Sequence, residues 1–282
     1  MKIIKLNNKL ILGTAQFGAS YGFNNFKKKR LSKLEIFKIL NFAYKNKITH
    51  IDTAESYNLK NFFLKNKNWI VDTKILIKKN RNSFLKIKKK LEFFTNQSNI
   101  ELETVYIHNP ELLFSMNGKK LYMILENLKE HSLIKKIGVS VYDPILLKRI
   151  IEKYKIDVAQ FPYNIFDRRF DKIMKFLKKK NVNIYVRSVF LQGALLSKRK
   201  TQMTLLPEFE KLNKFSQKMN IDKMSLCLNF VNNNNLIDKI IFGVDSLNQI
   251  KSILSCEKIK KINFDIFKTK KTKIIDPRNW EN

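Results

Sequence analysis

Cysteine, proline and glycine are scarce in this 282-residue chain, at two, five and seven residues. Two cysteines, Cys227 and Cys256, could pair with each other, but they make no disulfide framework, and nothing around them has the spacing of a metal site. Cys227 lies in the apolar helical run Ser225 to Phe230 and reads as a core thiol. No stretch rich in Pro, Gly or Ser interrupts the chain and no segment repeats, so nothing marks a linker between domains. No apolar run reaches the ~18 residues of a membrane span, and Met1 to Asn8 lacks the long apolar region and cleavage site of a signal peptide. The expectation is a cytoplasmic protein without a membrane partner. Acidic residues are few as well: 24 against 56 Lys and Arg, a net charge of +32. An excess of this size admits a polyanion-binding role. The lysines, however, are spread along the whole chain beside abundant Asn and Ile, which reads as proteome bias, and no specific nucleic-acid partner is expected. The charge will still draw phosphate-bearing ligands at low salt.

What remains is a globular composition, 44% hydrophobic. Short β-like runs are Leu10 to Leu12, Thr49 to Asp52, Ile70 to Lys74, Thr104 to Ile107, Lys136 to Val139, Asp157 to Phe161, Asn183 to Arg187 and Lys239 to Phe242. Amphipathic stretches alternate with them: Leu34 to Ala43, Leu121 to Leu133, Pro144 to Tyr154, Phe170 to Leu177 and Leu247 to Leu254. Ser32 and Glu35 form a capping-box signature before the first of these. The interval between strands seven and eight is long and holds two helical stretches, Pro207 to Met219 and Asp222 to Val231. The interval Asn58 to Lys67, by contrast, leaves room only for a stunted second helix. Strands joined by helical crossovers are parallel neighbours, and eight of them close a barrel filled by side chains. Gly13-Thr14-Ala15-Gln16-Phe17-Gly18 has the wrong spacing for a dinucleotide fingerprint of the doubly wound kind. The expected architecture is α/β, a single (β/α)8 TIM barrel over residues 1–282, with a polar, loosely held tail over about residues 268–282.

Chemistry in such barrels sits on the loops that follow the strands. There the sequence puts Asp52, Tyr57, Lys74 and His108. A phenol has an ordinary pKa of ~10, too high for easy proton donation near neutrality. A neighbouring ammonium favours the phenolate and lowers it. Each of the four residues has an ordinary structural use when taken singly; the four types together, in this order after strands two to four, point to proton donation.

The order Asp52, Tyr57, Lys74, His108, within Ile51-Asp52-Thr53-Ala54 and Ile107-His108-Asn109-Pro110, resembles the tetrad of the aldo-keto reductase family. Ile137-Gly138-Val139-Ser140 and Val158-Ala159-Gln160-Phe161-Pro162-Tyr163-Asn164 look like that family's fifth and sixth strand signatures. Leu12-Gly13-Thr14-Ala15-Gln16-Phe17-Gly18 followed by Tyr21-Gly22 looks like a bacterial branch. The resemblance implies a carbonyl reductase with NADP or NAD as cofactor. Tyr57 would be the proton donor, Lys74 its activating cation, Asp52 the anchor of Lys74, and His108 the partner of the substrate oxygen. It places cofactor contacts at Gly13, Thr14, Ser140, Gln160, Arg187, Ser188, Gly243, Asp245, Ser246 and Gln249, and needs no metal. Ser140 and Gln160 would hold the nicotinamide carboxamide.

Two positions depart from the family pattern: Val141 stands where an Asn follows the Ser, and Arg187 stands where an aromatic stacks on the nicotinamide, so that Arg187 or Ser188 could meet the pyrophosphate instead. Asp245, with Gln249 where an Arg is usual, points toward tolerance of or preference for NADH. The bacterial branch suggests a small-molecule aldehyde or keto-sugar substrate, a nucleotide-linked sugar included, with Phe17, Tyr21 and Phe190 as candidate lining. The rival reading is a catalytically silent nucleotide-binding barrel that serves as a sensor or partner subunit. A cofactor-free barrel isomerase would leave the Gln160 and strand-eight signatures unexplained. Oligomeric state is open.

Overall fold

The computed structural model describes residues 4, 6, 8–18, 22–23, 30–54, 57, 67–76, 84–96, 100–259 and 262–280. Eight parallel strands follow one another around a closed barrel: β1 (Leu10–Gly13), β2 (His50–Asp52), β3 (Trp69–Ile75), β4 (Ile100–Ile107), β5 (Lys136–Ser140), β6 (Val158–Pro162), β7 (Asn183–Arg187) and β8 (Lys239–Gly243). Closure comes from β1 lying beside β8, with Leu10 opposite Ile240 and Gly13 opposite Gly243. The register between β3 and β4 shifts once, between Val71 and Asp72.

The helices are α1 (Ala15–Gly18), α2 (Lys33–Lys45), α3 (Phe84–Thr95), α4 (Met116–Glu130), α5 (Pro144–Lys153), α6 (Asp171–Lys179), α7 (Pro207–Met219), α8 (Lys223–Asn232), α9 (Leu247–Leu254) and α10 (Thr272–Ile275). α2 starts at the expected capping box: Ser32 Oγ accepts from the Glu35 N–H at 3.2 Å, and Glu35 accepts from the Ser32 N–H at 2.8 Å. Its buried residues, Ile36, Ile39, Leu40 and Ala43, fall on one stripe at helical spacing. In α5, Asp143 caps the first turn and Pro144 occupies a position where its missing N–H costs nothing. α8 is buried from Ser225 to Val231, and Cys227 is a fully buried free thiol within it. The interval 58–66 expected to hold a stunted helix lies outside the described residues. No described helix is long and apolar enough to cross a membrane.

Most of the core lies between barrel and helices, while Ile11, Tyr106, Val158, Tyr185 and Ile241 form a separate cluster of buried residues on the strands. Gly138 makes room for Tyr106. The two are register partners on β5 and β4, and a Cβ at 138 would lie 2.4 Å from the Tyr106 ring. The Tyr106 hydroxyl donates to Asp72 Oδ2 at 3.4 Å, and His50 Nε2 stands 3.1 Å from Asp72 Oδ1 without hydrogen-bond alignment. Burial, and then Asp72, hold the Tyr106 phenol well above its ordinary pKa.

The tail departs from expectation. Its lysines suggest a solvated end, but Ile274 and Ile275 are buried and Trp280 meets Phe23 edge-on with ring centres 5.6 Å apart. Asp276 adds a polar clamp. Its carboxylate accepts from Arg278 Nε at 2.8 Å, from Arg278 Nη2 at 2.6 Å and from Arg169 Nη1 at 3.3 Å. The Arg278 hydrogen bond in particular holds the Asp276 pKa down to about 2. Two buried isoleucines and one anchored carboxylate outweigh the entropy of a lysine-rich segment.

Candidate active site

The C-terminal ends of β2, β3 and β4 bring the four sequence-predicted catalytic residues to the mouth of one cavity of about 600 Å³. Lys74, on β3, points its ammonium at Asp52, the last residue of β2. Nζ donates to Oδ1 and Oδ2 at 2.7 Å each and to the Thr53 carbonyl at 3.0 Å. Both partners are 6% exposed, so the ion pair is largely removed from water. All three Nζ protons and both carboxylate oxygens are used, which offsets part of the cost of taking the pair out of water. Gln160 on β6 adds a fourth contact, its Nε2 donating to Asp52 Oδ1 at 2.8 Å while its Oε1 accepts from Ser140 Oγ on β5 at 3.0 Å. This link between Gln160 and Asp52, across 108 positions of sequence, was not foreseen. Gln160 was assigned to the cofactor alone, and no local pattern pairs the two residues.

Lys74 Nζ lies 5.7 Å from the centre of the Tyr57 ring, and Tyr57 is half-buried on the cavity wall. The Tyr57 backbone packs against Gly18 of α1. A Cβ placed on Gly18 would come within 1.8 Å of the Tyr57 carbonyl oxygen and 2.3 Å of its carbon, so only glycine fits there. Gly18→Ala should therefore push Tyr57 off its position. If Tyr57 is the reacting phenol that the sequence leads one to expect, kcat should fall about a hundredfold, the cost of misplacing a reacting group by an ångström. An unchanged kcat would mean that the loop position is not important.

His108 follows β4 directly and reaches solvent at the mouth. Its imidazole is held below the ordinary histidine pKa, first by partial desolvation and then by the Lys74 and Arg187 charges, with Asp52 acting against them. Near neutrality the ring is uncharged and can present a single N–H to an oxygen.

The far side of the cavity is built by β1, β5, β6, β7 and β8. Gly13, Thr14, Ser140, Gln160, Arg187, Ser188, Gly243, Asp245 and Gln249 all line it. Ser246 does not. It caps α9, its Oγ accepting from the Gln249 N–H at 3.3 Å. Gln249 in turn accepts from the Asp245 N–H at 3.0 Å. Val141, in place of the family's Asn, is 2% exposed and packs into the core.

The loop after β7 is unusual. Ser188, Leu191 and Gln192 have φ of 57°, 48° and 54°. The other described non-glycine residues with positive φ, Lys47, Ser132, Asn181 and Asn220, all follow helices, where that conformation is ordinary. Three such residues in one loop cost on the order of 1–3 kcal/mol each. Asn164 holds the loop in place by donating to the Ser188 carbonyl at 3.1 Å.

Of the residues suggested as substrate lining, Phe190 is on the wall, Phe17 is buried in the core, and Tyr21 lies outside the described residues. Sequence reasoning missed Tyr142, Met224, Pro277 and Arg278, which also line the cavity. The last two arrive there only because the tail folds back over the mouth.

Comparison with known proteins agrees with this construction. A model of the aldo/keto reductase family matches residues 9–272. The chain superposes on an aldo-keto reductase from Bacillus halodurans, in its holo form, with a TM-score of 0.69 at 18% identity, over 95% of this chain and 94% of that one. It superposes on a glycerol dehydrogenase from Gluconobacter oxydans with a TM-score of 0.67 at 18% identity, over 90% and 87%. No curated protein matches in the sequence comparison.

Proposed function

Because the chain belongs to the aldo/keto reductase family, a family of NAD(P)-dependent oxidoreductases that act on carbonyls, we propose that it reduces an aldehyde or ketone to an alcohol with Tyr57 as the proton donor. The observation that carries this reading is the placement of the Lys74 ammonium. It is fixed by Asp52 and lies 5.7 Å from the Tyr57 ring, in a cavity shared with His108. The ammonium favours the phenolate and so brings the phenol toward a pKa suited to proton transfer near neutrality. Asp52 holds the Lys74 ammonium stationary, and Gln160 keeps Asp52 from turning away. His108, uncharged, donates its N–H to the carbonyl oxygen and orients it.

The wall opposite Tyr57 fits a nicotinamide dinucleotide. With Ser140 donating to Gln160 and Gln160 to Asp52, the Ser140 oxygen can still accept and the Gln160 amide keeps a second proton. These are the acceptor and donor types that a carboxamide needs, and the cavity extends from them to the β8 end at Gly243, Asp245 and Gln249. When bound, the dinucleotide supplies the hydride. The Asp245 carboxylate is exposed at that end and Gln249 is folded back onto the Asp245 N–H, an arrangement that supports acceptance of NADH beside NADPH. A silent nucleotide-binding barrel would have no use for a buried ammonium beside a phenol, and the substrate class suggested by sequence, a sugar-type carbonyl, is compatible with the half-polar wall.

The test is a fluorescence titration with NADPH and with NADH at physiological salt, with ATP and polyphosphate as controls for the net charge of +32. Both dinucleotides should saturate, within about tenfold of each other (~1.4 kcal/mol), and polyphosphate should not displace them. Binding no tighter than that of polyphosphate would sink the reductase reading. NADPH binding tighter by far more than tenfold would sink the acceptance of NADH alone.

A further inference from the structure

We propose that the carbonyl substrate carries an anionic group, a carboxylate or a phosphate, and that Arg187 binds it at the mouth of the cavity. This rests on the reductase reading above and names the class of molecule that the site selects.

Arg187 ends β7 and lines the cavity together with Tyr57 and His108. Its guanidinium lies over the Tyr142 ring, 4.2 Å from the centre, and a second guanidinium, that of Arg278, lies 3.9 Å from the same centre. One ring therefore carries two cations. Their electrostatic situations differ. Arg278 is neutralised by the bidentate contact with Asp276. Arg168 is paired with Asp265, and Arg169 with Asp167 and Asp276. Arg187, among the described residues, has no carboxylate within ion-pair distance, although it is half-buried. Of the acids on the cavity wall, Asp52 is already matched to Lys74, and Asp245 stands at the β8 end.

A partly desolvated guanidinium without a counter-charge is unfavourable by itself. Here it also acts on His108, whose imidazole it helps to keep deprotonated. The mouth thus holds a positive charge that has no carboxylate partner among the described residues, and the Tyr142 ring, 4.2 Å from it, gives it a resting place. A planar fork of donors matches a carboxylate or phosphate two bonds at a time. An anionic substituent on the substrate would satisfy Arg187 while the carbonyl reaches Tyr57 and His108.

The direction of the side chain separates this role from the pyrophosphate contact expected from sequence. Tyr142 lies two residues beyond β5, so the guanidinium leans toward β5 and His108, on the β4 side. Asp245 and Gln249, at the end of β8, lie the other way around the barrel.

The experiment is isothermal titration calorimetry at physiological ionic strength without cofactor. It uses product alcohols, which cannot form imines with the many lysines: 4-hydroxybutanoate against 1,4-butanediol, and glycerol 3-phosphate against glycerol. The proteins are wild type, Arg187→Met, Arg187→Lys and Lys148→Met. Lys148 is an exposed lysine on α5, so its loss removes the same charge from elsewhere. Wild type should bind one of the two anions about 10- to 100-fold more tightly than its neutral partner, the range of a charge-assisted hydrogen-bond pair. The anion preferred identifies carboxylate or phosphate. Arg187→Met should erase that preference, Arg187→Lys should keep part of it, and Lys148→Met should keep it all. Arg187→Met should not change the ratio of NADPH to NADH affinity. Equal binding of charged and neutral ligands by wild type overturns the proposal, and needs no variant to fold. So does an equal loss in Lys148→Met, which would show diffuse attraction, or a selective loss of NADPH binding in Arg187→Met, which would return Arg187 to the cofactor. Because no hydride is transferred in the assay, any of these failures leaves the dinucleotide titration as the separate judge of the reductase reading.

Discussion

Tyr57→Phe will lose turnover by about two to four orders of magnitude, the usual contribution of a positioned general acid, while binding dinucleotide as well as wild type does. The change removes one oxygen and keeps the ring, so the contact of the Lys74 ammonium with the aromatic face survives. The loss should fall on kcat and kcat/KM alike, because the proton is needed in the transition state and not for binding. Residual activity should have little dependence on pH through the range where a phenol titrates. Steady-state kinetics at saturating NADPH, with the best carbonyl from a screen, would measure it. Wild-type kcat in Tyr57→Phe would transfer the proton donor's role to His108 or to water.

Lys74→Met should damage both activity and stability. The ammonium is the only cation on Asp52 among the described residues, and its removal leaves a carboxylate, 6% exposed, with Gln160 as its main remaining donor. Breaking a buried ion pair from one side costs about 3–5 kcal/mol. At a few degrees per kcal/mol for a chain of this size, the melting temperature should drop by roughly 10 °C. The sign of the pH dependence follows. A carboxylate buried without its cation has a folded-state pKa above its unfolded value, so the folded form binds more protons. The penalty is then full at neutral pH and shrinks as pH falls toward the carboxylate range. Adding Asp52→Asn to Lys74→Met should restore most of the stability and none of the activity, since the phenol still lacks its cation. Thermal melts of the single and double variants decide it. A double variant no more stable than Lys74→Met would mean that the lost energy was packing of the lysine stem and not an abandoned charge.

The residues that sequence revealed best are those whose chemistry depends on the end of a strand. Asp52, Lys74 and His108 each close a short apolar run, and the barrel turns that one-dimensional regularity into a common mouth. The strands were found in order because alternating β and α segments admit few other closures, and the Ser32–Glu35 cap is local by nature. What stayed hidden depends on contacts between distant segments. Helix α3 is hard to see in the sequence because Lys86, Lys88, Lys89 and Lys90 mask its buried Ile87 and Leu91. The link from Gln160 to Asp52 is set by how β6 faces β2 across the interior. The tail looked like solvated lysine because nothing in its own composition reveals that Ile274, Ile275 and Asp276 have partners waiting on the barrel. Tyr142 and Arg278 entered the site by the same route, and with them the argument for a charged substrate.

The seam between β1 and β8 has a consequence for how the molecule is made. Besides the strand pairing, Lys239 donates to the Asn8 carbonyl across 231 positions of sequence. During synthesis at ~5–20 residues per second, β1 leaves the ribosome roughly 10–50 s before its last neighbour exists. For that interval one flank of β1 has nothing to pair with, and an apolar strand with an open edge is a template for the wrong partner. The intermediate β-α units can assemble in the meantime through near neighbours, at low entropic cost. Ring closure is therefore the late step, and the nascent chain depends on being kept from other nascent chains until it happens. The supply of holdase chaperones should therefore influence the yield of folded protein.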